Sequence, residues 1–401
     1  MWSRVQFARA SVSAATAAVA GLAGVHGVTP LASWSKHDAN GKRTISHCSS
    51  TAARSEGESF VTYNVLSNHL IHAGFRKRCP AVDLESDVRL ARVKGKLEDA
   101  VSRRAMIGLQ EVSSDWAGEF HVFFARQGYH VVFAPYGEKF NGRMGVLFAY
   151  PAERFVAKAI HLHHVGDSLP ETQSFAPKTP RHLSPHGILS EFGMAEILGI
   201  HKDALDLKSR YAPHGETVEV LNPRKNREWG LAGRRQNVAV LARLQPTSGD
   251  SRAFCVGVYH MPCLYGSTEH RQTQNIHVLA LRNALAGLAE DPGEPFILLG
   301  DFNIKPGESG YDLLTGSPLG HEHAPDNDHY RRIYSSFPLT SAYAAFHGAE
   351  PYARQLDYIW ISKGCRVLDC PKLDANVSRP SASEPSDHLL VEAVVQLFDA
   401  A

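Results

Sequence analysis

The chain has 401 residues, 43% of them hydrophobic and 21% charged, which is ordinary for a globular protein that buries a sizeable core. A formal net charge of +1 excludes a global basic field for nucleic acid, so any polyanion site must come from a local cluster. The six cysteines (Cys48, Cys79, Cys255, Cys263, Cys365 and Cys370) include no CxxC pair, which argues against a zinc site or disulfide framework and for a reducing compartment.

Met1 to His37 contains no acidic residue, carries Arg4, Arg9 and Lys36, and is rich in Ala and Ser. That is the composition of a mitochondrial transit peptide, with a disordered tail or weak secretory signal as the alternative. Residues 1–58 are therefore set apart as a targeting or disordered segment, and 59–401 as one catalytic domain. No run is long and apolar enough to span a membrane, so no stable membrane insertion is expected. From Ser59 onward, β-rich runs alternate with helical ones. Phe60–Val65, Ala105–Gln110, Gly145–Tyr150, Asn237–Leu244, Phe254–Tyr259, Pro295–Gly300, Leu356–Ile361 and Leu389–Leu397 read as strands. Leu90, Val93, Leu97 and Val101 recur at helical spacing. Ile276, Leu281, Leu285 and Leu288 predict a second helix, with Ser267 as a possible N-cap. The stretch at about 161–230, rich in His, Pro, Gly and charge, reads as a long insertion with its histidines in loops. No Cys/His set completes a zinc site around His161, His163 and His164.

Polar residues fall at the ends of these strands: Asn64 after the first, Glu111 after the second, His260, Asp301 and Asn303, then Asp357, and Asp387-His388 before the last. Cutting a phosphodiester needs a nucleophilic water, charge stabilisation on the phosphoryl oxygens and a stabilised leaving oxygen. Glu111, Asn64 and Asp387 are hard oxygen ligands that suit Mg²⁺, with Mn²⁺ as the substitute. An Asp-x-Asn pair places both side chains on one side of a pleat, so Asp301 can orient or deprotonate water while Asn303 donates to a phosphoryl oxygen. A His388–Asp357 pair favours the charged imidazole. Each element alone has a plainer use: Gln-Glu as a surface carboxylate, Asp-Phe-Asn as an Asx turn, Ser-Asp-His as a cap. Asp357, inside Leu-Asp-Tyr-Ile-Trp, is harder to dismiss, because a carboxylate in an apolar strand must find a partner.

These residues resemble the endonuclease/exonuclease/phosphatase superfamily. The likeness implies an α/β fold: a four-layer sandwich of two mixed β-sheets flanked by helices, DNase I-like, with a metal site at one edge. Ser59-Phe60-Val61-Thr62-Tyr63-Asn64-Val65-Leu66-Ser67 is similar to the opening motif of deadenylase- and nocturnin-type RNA exonucleases. So is Gly300-Asp301-Phe302-Asn303-Ile304-Lys305-Pro306 with the segment after it, and Arg89 fits the same group. The resemblance implies a phosphate-side place for His260 and Asn237, and a strand-end Tyr at Tyr150, a residue that could equally be core. Apurinic endonucleases carry an Asp two residues past the first Asn; Leu66 here counts against DNA repair. Two departures, the short Tyr352–Gln355 link and His260-Met261-Pro262-Cys263 in place of a His-Leu continuation, speak for shared hydrolysis more than for poly(A) preference.

Residues 222–237 hold Arg224, Lys225, Arg227, Arg234 and Arg235 around Trp229, a composition suited to a single strand whose phosphates meet Arg and whose base stacks on the indole. A solvated loop is the plainer alternative. The expectation is a Mg²⁺-dependent phosphodiesterase on RNA or an oligonucleotide, a 3′→5′ exonuclease or 2′,5′-phosphodiesterase. The competing classes are a small-molecule or lipid phosphodiesterase, which would want a membrane-inserting apolar hairpin, and a dead scaffold, which would want a lost ligand.

Overall fold

The computed structural model describes residues 57–136, 143–169, 227–248, 252–317, 337–377 and 379–398. The N-terminal stretch through residue 56, on which the targeting expectation falls, and residues 170–226 with Arg224 and Lys225, lie outside the described residues. In chain order the strands are β1 (Glu58–Asn64), β2 (Met106–Val112), β3 (Tyr129–Pro135), β4 (Gly145–Pro151), β5 (Phe155–His164), β6 (Val238–Pro246), β7 (Phe254–His260), β8 (Phe296–Asp301), β9 (Leu339–Ser341), β10 (Asp357–Ser362), β11 (Arg366–Asp369) and β12 (Val391–Gln396). The helices are α1 (Ala73–Arg78), α2 (Ser86–Ser102), α3 (Ser114–Arg126), α4 (Arg227–Gly233), α5 (Thr268–Ala286), α6 (Ser309–Thr315) and α7 (Ala342–His347).

The strands build two six-stranded sheets, ordered β11-β12-β1-β2-β4-β3 and β5-β6-β7-β8-β10-β9. Period-2 alternation sends each strand's side chains to two faces. Phe60, Met106, Phe148, Val256, Val258 and Ile297 fill the layer between the sheets. Val61, Tyr63 and Ile107 point the other way, onto Leu90, Val93 and Leu97 of α2 and Trp116 and Phe120 of α3. Cys255, Tyr259 and Leu298 of the second sheet pack outward against Trp229 of α4 and Ile276 and Leu281 of α5. Helix, sheet, sheet, helix is the four-layer sandwich expected. Ser267 caps α5, its hydroxyl accepting from the His270 backbone N–H at 3.1 Å.

Each sheet is mixed because one central pair is parallel: β1 with β2, and β7 with β8. Those two pairs send their C-terminal ends to one edge of the sandwich. Gly300 lets β8 approach closely there, since a Cβ would collide with the Tyr259 carbonyl oxygen.

The insertion begins later than expected. His161, His163 and His164 are not loop residues but belong to β5, paired with Leu241, Ala239 and Val238 of β6. The reason is electrostatic: burial holds the imidazoles of His161 and His163 down at about 4, so at neutral pH both are uncharged and fill a strand as semi-polar bulk. His277 in α5 behaves alike. It is fully buried, one ring nitrogen bonded to the Tyr259 hydroxyl at 2.7 Å and the other to the Ala232 carbonyl at 3.1 Å. Burial lowers its pKa from 6.5 to about 4. The unfolded chain therefore takes up a proton that the folded chain refuses, and stability present above pH 6.5 is lost as pH falls toward 4. The loss through this one ring is on the order of 3 kcal/mol at its full extent. Urea unfolding across that window should show wild type ahead of His277→Gln at pH 7, with the gap narrowing as the solution is acidified. A gap that stays constant would contradict this assignment.

Candidate active site

The register of the parallel pairs assembles the site. Asn64 lies opposite Gln110, His260 opposite Asp301, and Asp357 of the antiparallel β10 opposite Asp301 from the other side. The β2–β4 register shifts between Leu109 and Val112, and Glu111 takes φ 58° within that irregularity. Leu66 (φ 55°) and Asn303 (φ 48°) share this left-handed backbone. Such backbone costs ordinary residues of order 1–2 kcal/mol each and persists only where its surroundings enforce it.

Glu111 is 8% exposed; its Oε1 accepts from Asn64 Nδ2 at 2.9 Å and its Oε2 from the Ser67 backbone N–H at 3.0 Å. The Asn64 Nδ2 also donates to Asp301 Oδ2 at 3.0 Å, while its Oδ1 accepts from the Leu66 backbone at 3.0 Å. One amide thus ties two carboxylates together and turns its nitrogen toward both. Asp301 Oδ1 accepts from the Asn303 backbone N–H at 2.9 Å, and Oδ2 lies 3.6 Å from His260 Nε2 and 3.7 Å from His388 Nε2. Asn303 Nδ2 lies 3.2 Å from His260 Nε2 and donates to the Met261 carbonyl at 3.1 Å. His388 Nδ1–H donates to Asp357 Oδ2 at 2.8 Å.

Charge is concentrated here. Burial pushes the Glu111 carboxyl above its ordinary range; His260 pulls it back and Asp387 adds to the push. Burial disfavours the charged form of His388, yet the carboxylates of Asp357 and Asp301 outweigh it and hold the ring protonated well above the ordinary range. Two sets of ligating atoms converge within 4.8 Å: Glu111, His260 and Asp301, and Asp301, Asp357 and His388. The Oδ1 of Asp387 is buried with no hydrogen-bond partner. Crowded hard oxygens with an orphaned carboxylate oxygen fit a divalent cation, because desolvated negative charge at this density needs a counter-charge.

Arg89 of α2 locks the strand ends around this cluster. Fully buried, it donates to the carbonyls of Val65 (2.6 Å), Leu66 (2.6 Å) and Pro385 (2.8 Å) and to Asn68 Oδ1 (3.0 Å). It thereby joins the turn after Asn64 to the segment that carries Asp387 and His388. Arg89→Met strands three carbonyls in the interior, and unsatisfied buried groups cost roughly 1–3 kcal/mol each. Denaturant unfolding of this variant should show a loss of about 3–5 kcal/mol. A loss below about 1 kcal/mol would show that water replaces the guanidinium freely.

Not every expected residue reaches the site. Tyr150 is 1% exposed, its ring beside Phe148 and His130 in the core. The antiparallel register puts it at the Met106 end of the first sheet, five residues along β2 from Glu111, or roughly 16 Å at strand rise. It presents no surface to a substrate. An aromatic that does stand at the site is Tyr136, after β3, whose ring centroid is 6.2 Å from that of His260. Trp229 is likewise no base platform: it is 1% exposed, turned from α4 onto α5 and the second sheet. Asn237 lies near the site as a brace, its Nδ2 donating to the His260 carbonyl at 2.7 Å. Arg235 is half-buried, and burial lowers its pKa. Tyr265, absent from the sequence-based set, donates its hydroxyl to Asn303 Oδ1 at 2.6 Å. The nearest sequence signal was the unusual Met261-Pro262-Cys263 continuation after His260, which stops two residues short of it.

A two-sheet sandwich delivers amide, carboxylate and imidazole groups from its central strands to one edge, the set of groups that phosphate-ester hydrolysis calls on. Residues 61–388 match the model of the Endonuclease/Exonuclease/phosphatase family, and the chain belongs to that family. Human nocturnin is 26% identical over 162 residues, which make up 38% of this chain and 36% of nocturnin, so the match spans little more than a third of that relative. Among solved structures, ANGEL2, described as a 2′,3′-cyclic phosphatase and bound to adenosine-2′,3′-vanadate, aligns at TM-score 0.58 with 17% identity, over 84% of this chain and 95% of its own. The human nocturnin catalytic domain with bound sulfate aligns at TM-score 0.52 with 20% identity, over 84% and 93%. At these identities the structural likeness is one of fold. No helix among the described residues is long and apolar enough to cross a membrane.

Proposed function

We propose that this enzyme is a divalent-metal-dependent phosphodiesterase that acts on RNA or oligonucleotides, trimming from the 3′ end. The observation that carries the reading is the position of Asp301, within 4 Å of both imidazoles and bridged by Asn64 to Glu111. Glu111, with Asp387, would hold Mg²⁺ or Mn²⁺, which when bound supplies Lewis-acid stabilisation of phosphoryl charge. The Asn64 nitrogen, turned to Glu111 and Asp301, braces the carboxylates in place of the ligand role expected for it. The chain's own groups supply the rest. Asp301 accepts the proton of the attacking water, and the Asn303 amide donates to a phosphoryl oxygen. His260 lies beside that oxygen. His388, kept charged by Asp357, stabilises the pentacovalent arrangement as the ester bond breaks. At the rim, Arg235 offers a cation for a backbone phosphate. Nocturnin and ANGEL2, the latter bound to an adenosine derivative, support a nucleotide-bearing substrate. The acid-free N-terminus supports mitochondrial targeting, which the mature N-terminus isolated from cells would test.

The test is incubation of the full chain with labelled oligonucleotides of varied base, sugar, linkage and 3′ end, cyclic phosphate included, with Mg²⁺ or with EDTA. Stepwise Mg²⁺-dependent 3′ shortening is expected. Mg²⁺-dependent release from an inositol phosphate, phospholipid or dinucleotide, with every oligonucleotide left intact, would overturn the RNA assignment and keep the site.

A further inference from the structure

Residues 261–266 link β7 to α5 and pass directly over Asn303. Tyr265 in this link is 47% exposed, yet its hydroxyl turns inward and donates to Asn303 Oδ1 at 2.6 Å. The Asn303 side chain is 5% exposed, and its opposite end donates from Nδ2 to the Met261 carbonyl at 3.1 Å. A side-chain amide has two ends of similar shape and opposite hydrogen-bonding character. The Met261 carbonyl can only accept, so it demands the nitrogen; a tyrosine hydroxyl giving its proton to the other end demands the oxygen. Flipping the amide would set Oδ1 against the Met261 carbonyl. Two partners on opposite sides therefore settle the orientation together, leaving the nitrogen on the His260 side.

The tyrosine is itself held. Lys305 Nζ stands 5.4 Å from its ring centroid, and His270 Nδ1 of α5 bonds to its backbone carbonyl at 2.7 Å. The Cys263 thiol lies against the same hydroxyl. Burial, with the charges of Cys263 and Asp301 added, raises the Tyr265 phenol far above its ordinary range, so it remains a donor throughout the neutral region.

We propose that Tyr265 is a positioning residue, whose hydroxyl fixes the Asn303 amide so that its nitrogen, and not its oxygen, meets the reacting phosphoryl group. This rests on the reading of Asn303 as the amide that donates to phosphate. Tyr265→Phe keeps the ring and its Lys305 contact and removes only the hydroxyl. Turnover of the best oligonucleotide should fall about tenfold, with KM within twofold of wild type and an unchanged melting temperature. In an Asn303→Ala background, where no amide remains to orient, the same change should cost nothing further. Wild-type turnover in Tyr265→Phe, a rise in KM alone, or a full additional loss in the Asn303→Ala background would overturn the proposal, the last two by placing the hydroxyl on substrate. Full activity in Asn303→Ala by itself would instead sink the reading of the site on which it rests.

Discussion

Glu111→Gln is expected to lower turnover by about 10³-fold while leaving the fold intact. Burial raises the Glu111 carboxyl, so its charge is tolerated at a cost that a neutral amide does not bear. Against that gain, Gln offers one acceptor where the native side chain accepts twice, from Asn64 Nδ2 and from the Ser67 backbone. The two terms are of similar size, and the melting temperature should move by only a few degrees. What cannot be replaced is charge toward a cation. A ligand that binds only the folded state at about a hundred times its Kd adds roughly 2.7 kcal/mol of stability. Saturating Mg²⁺ should therefore raise the melting temperature of wild type, EDTA should reverse it, and Glu111→Gln should respond much less. A variant that keeps both the Mg²⁺-dependent shift and wild-type turnover would remove Glu111 from the metal site.

Much of this site was legible because chemistry leaves conspicuous residues at strand ends. Asp357 could be identified since it interrupts an apolar strand, and its partner proved to be His388. Asp301-Phe302-Asn303 could be identified from its place after an apolar run. The spacing could not show that Asn303 bonds through its side chain to the Tyr265 hydroxyl, because that contact closes a gap of 38 residues. Nor does a run of apolar residues say which of its ends faces the site. Gly145–Tyr150 was correctly read as a strand, and Tyr150 was still placed at the wrong edge, because direction in the sheet is decided by pairing with β2. Trp229 misled for a related reason: its flanking arginines describe a surface, while the indole turns inward onto α5 and the second sheet. The half-buried histidines His161 and His163 of β5 were hidden by their formal polarity, which desolvation cancels by keeping them neutral.

Asp357→Asn should lower kcat by about 10²-fold or more, the ordinary reach of positioned acid–base groups, and should also move the pH profile. Asp357 is 4% exposed and accepts from His388 Nδ1 at 2.8 Å, which aims Nε2 at Asp301 3.7 Å away. Although burial opposes it, the field of Asp357 and then Asp301 holds His388 protonated well above its ordinary range. The charged ring is thus present below that raised pKa and is lost as pH climbs through it. With Asn at 357 the first of those two charges disappears while burial remains, so the ring gives up its proton at lower pH. The alkaline limb of kcat at saturating Mg²⁺ should shift toward acid, and lowering the pH should restore part of the lost rate. An unshifted limb with the same fall in rate would mean that Asp357 orients the imidazole without charging it. An unchanged rate would show that the pair is not used in turnover at all. The two effects are separable because orientation survives in an amide that can still accept from Nδ1–H, whereas the charge does not.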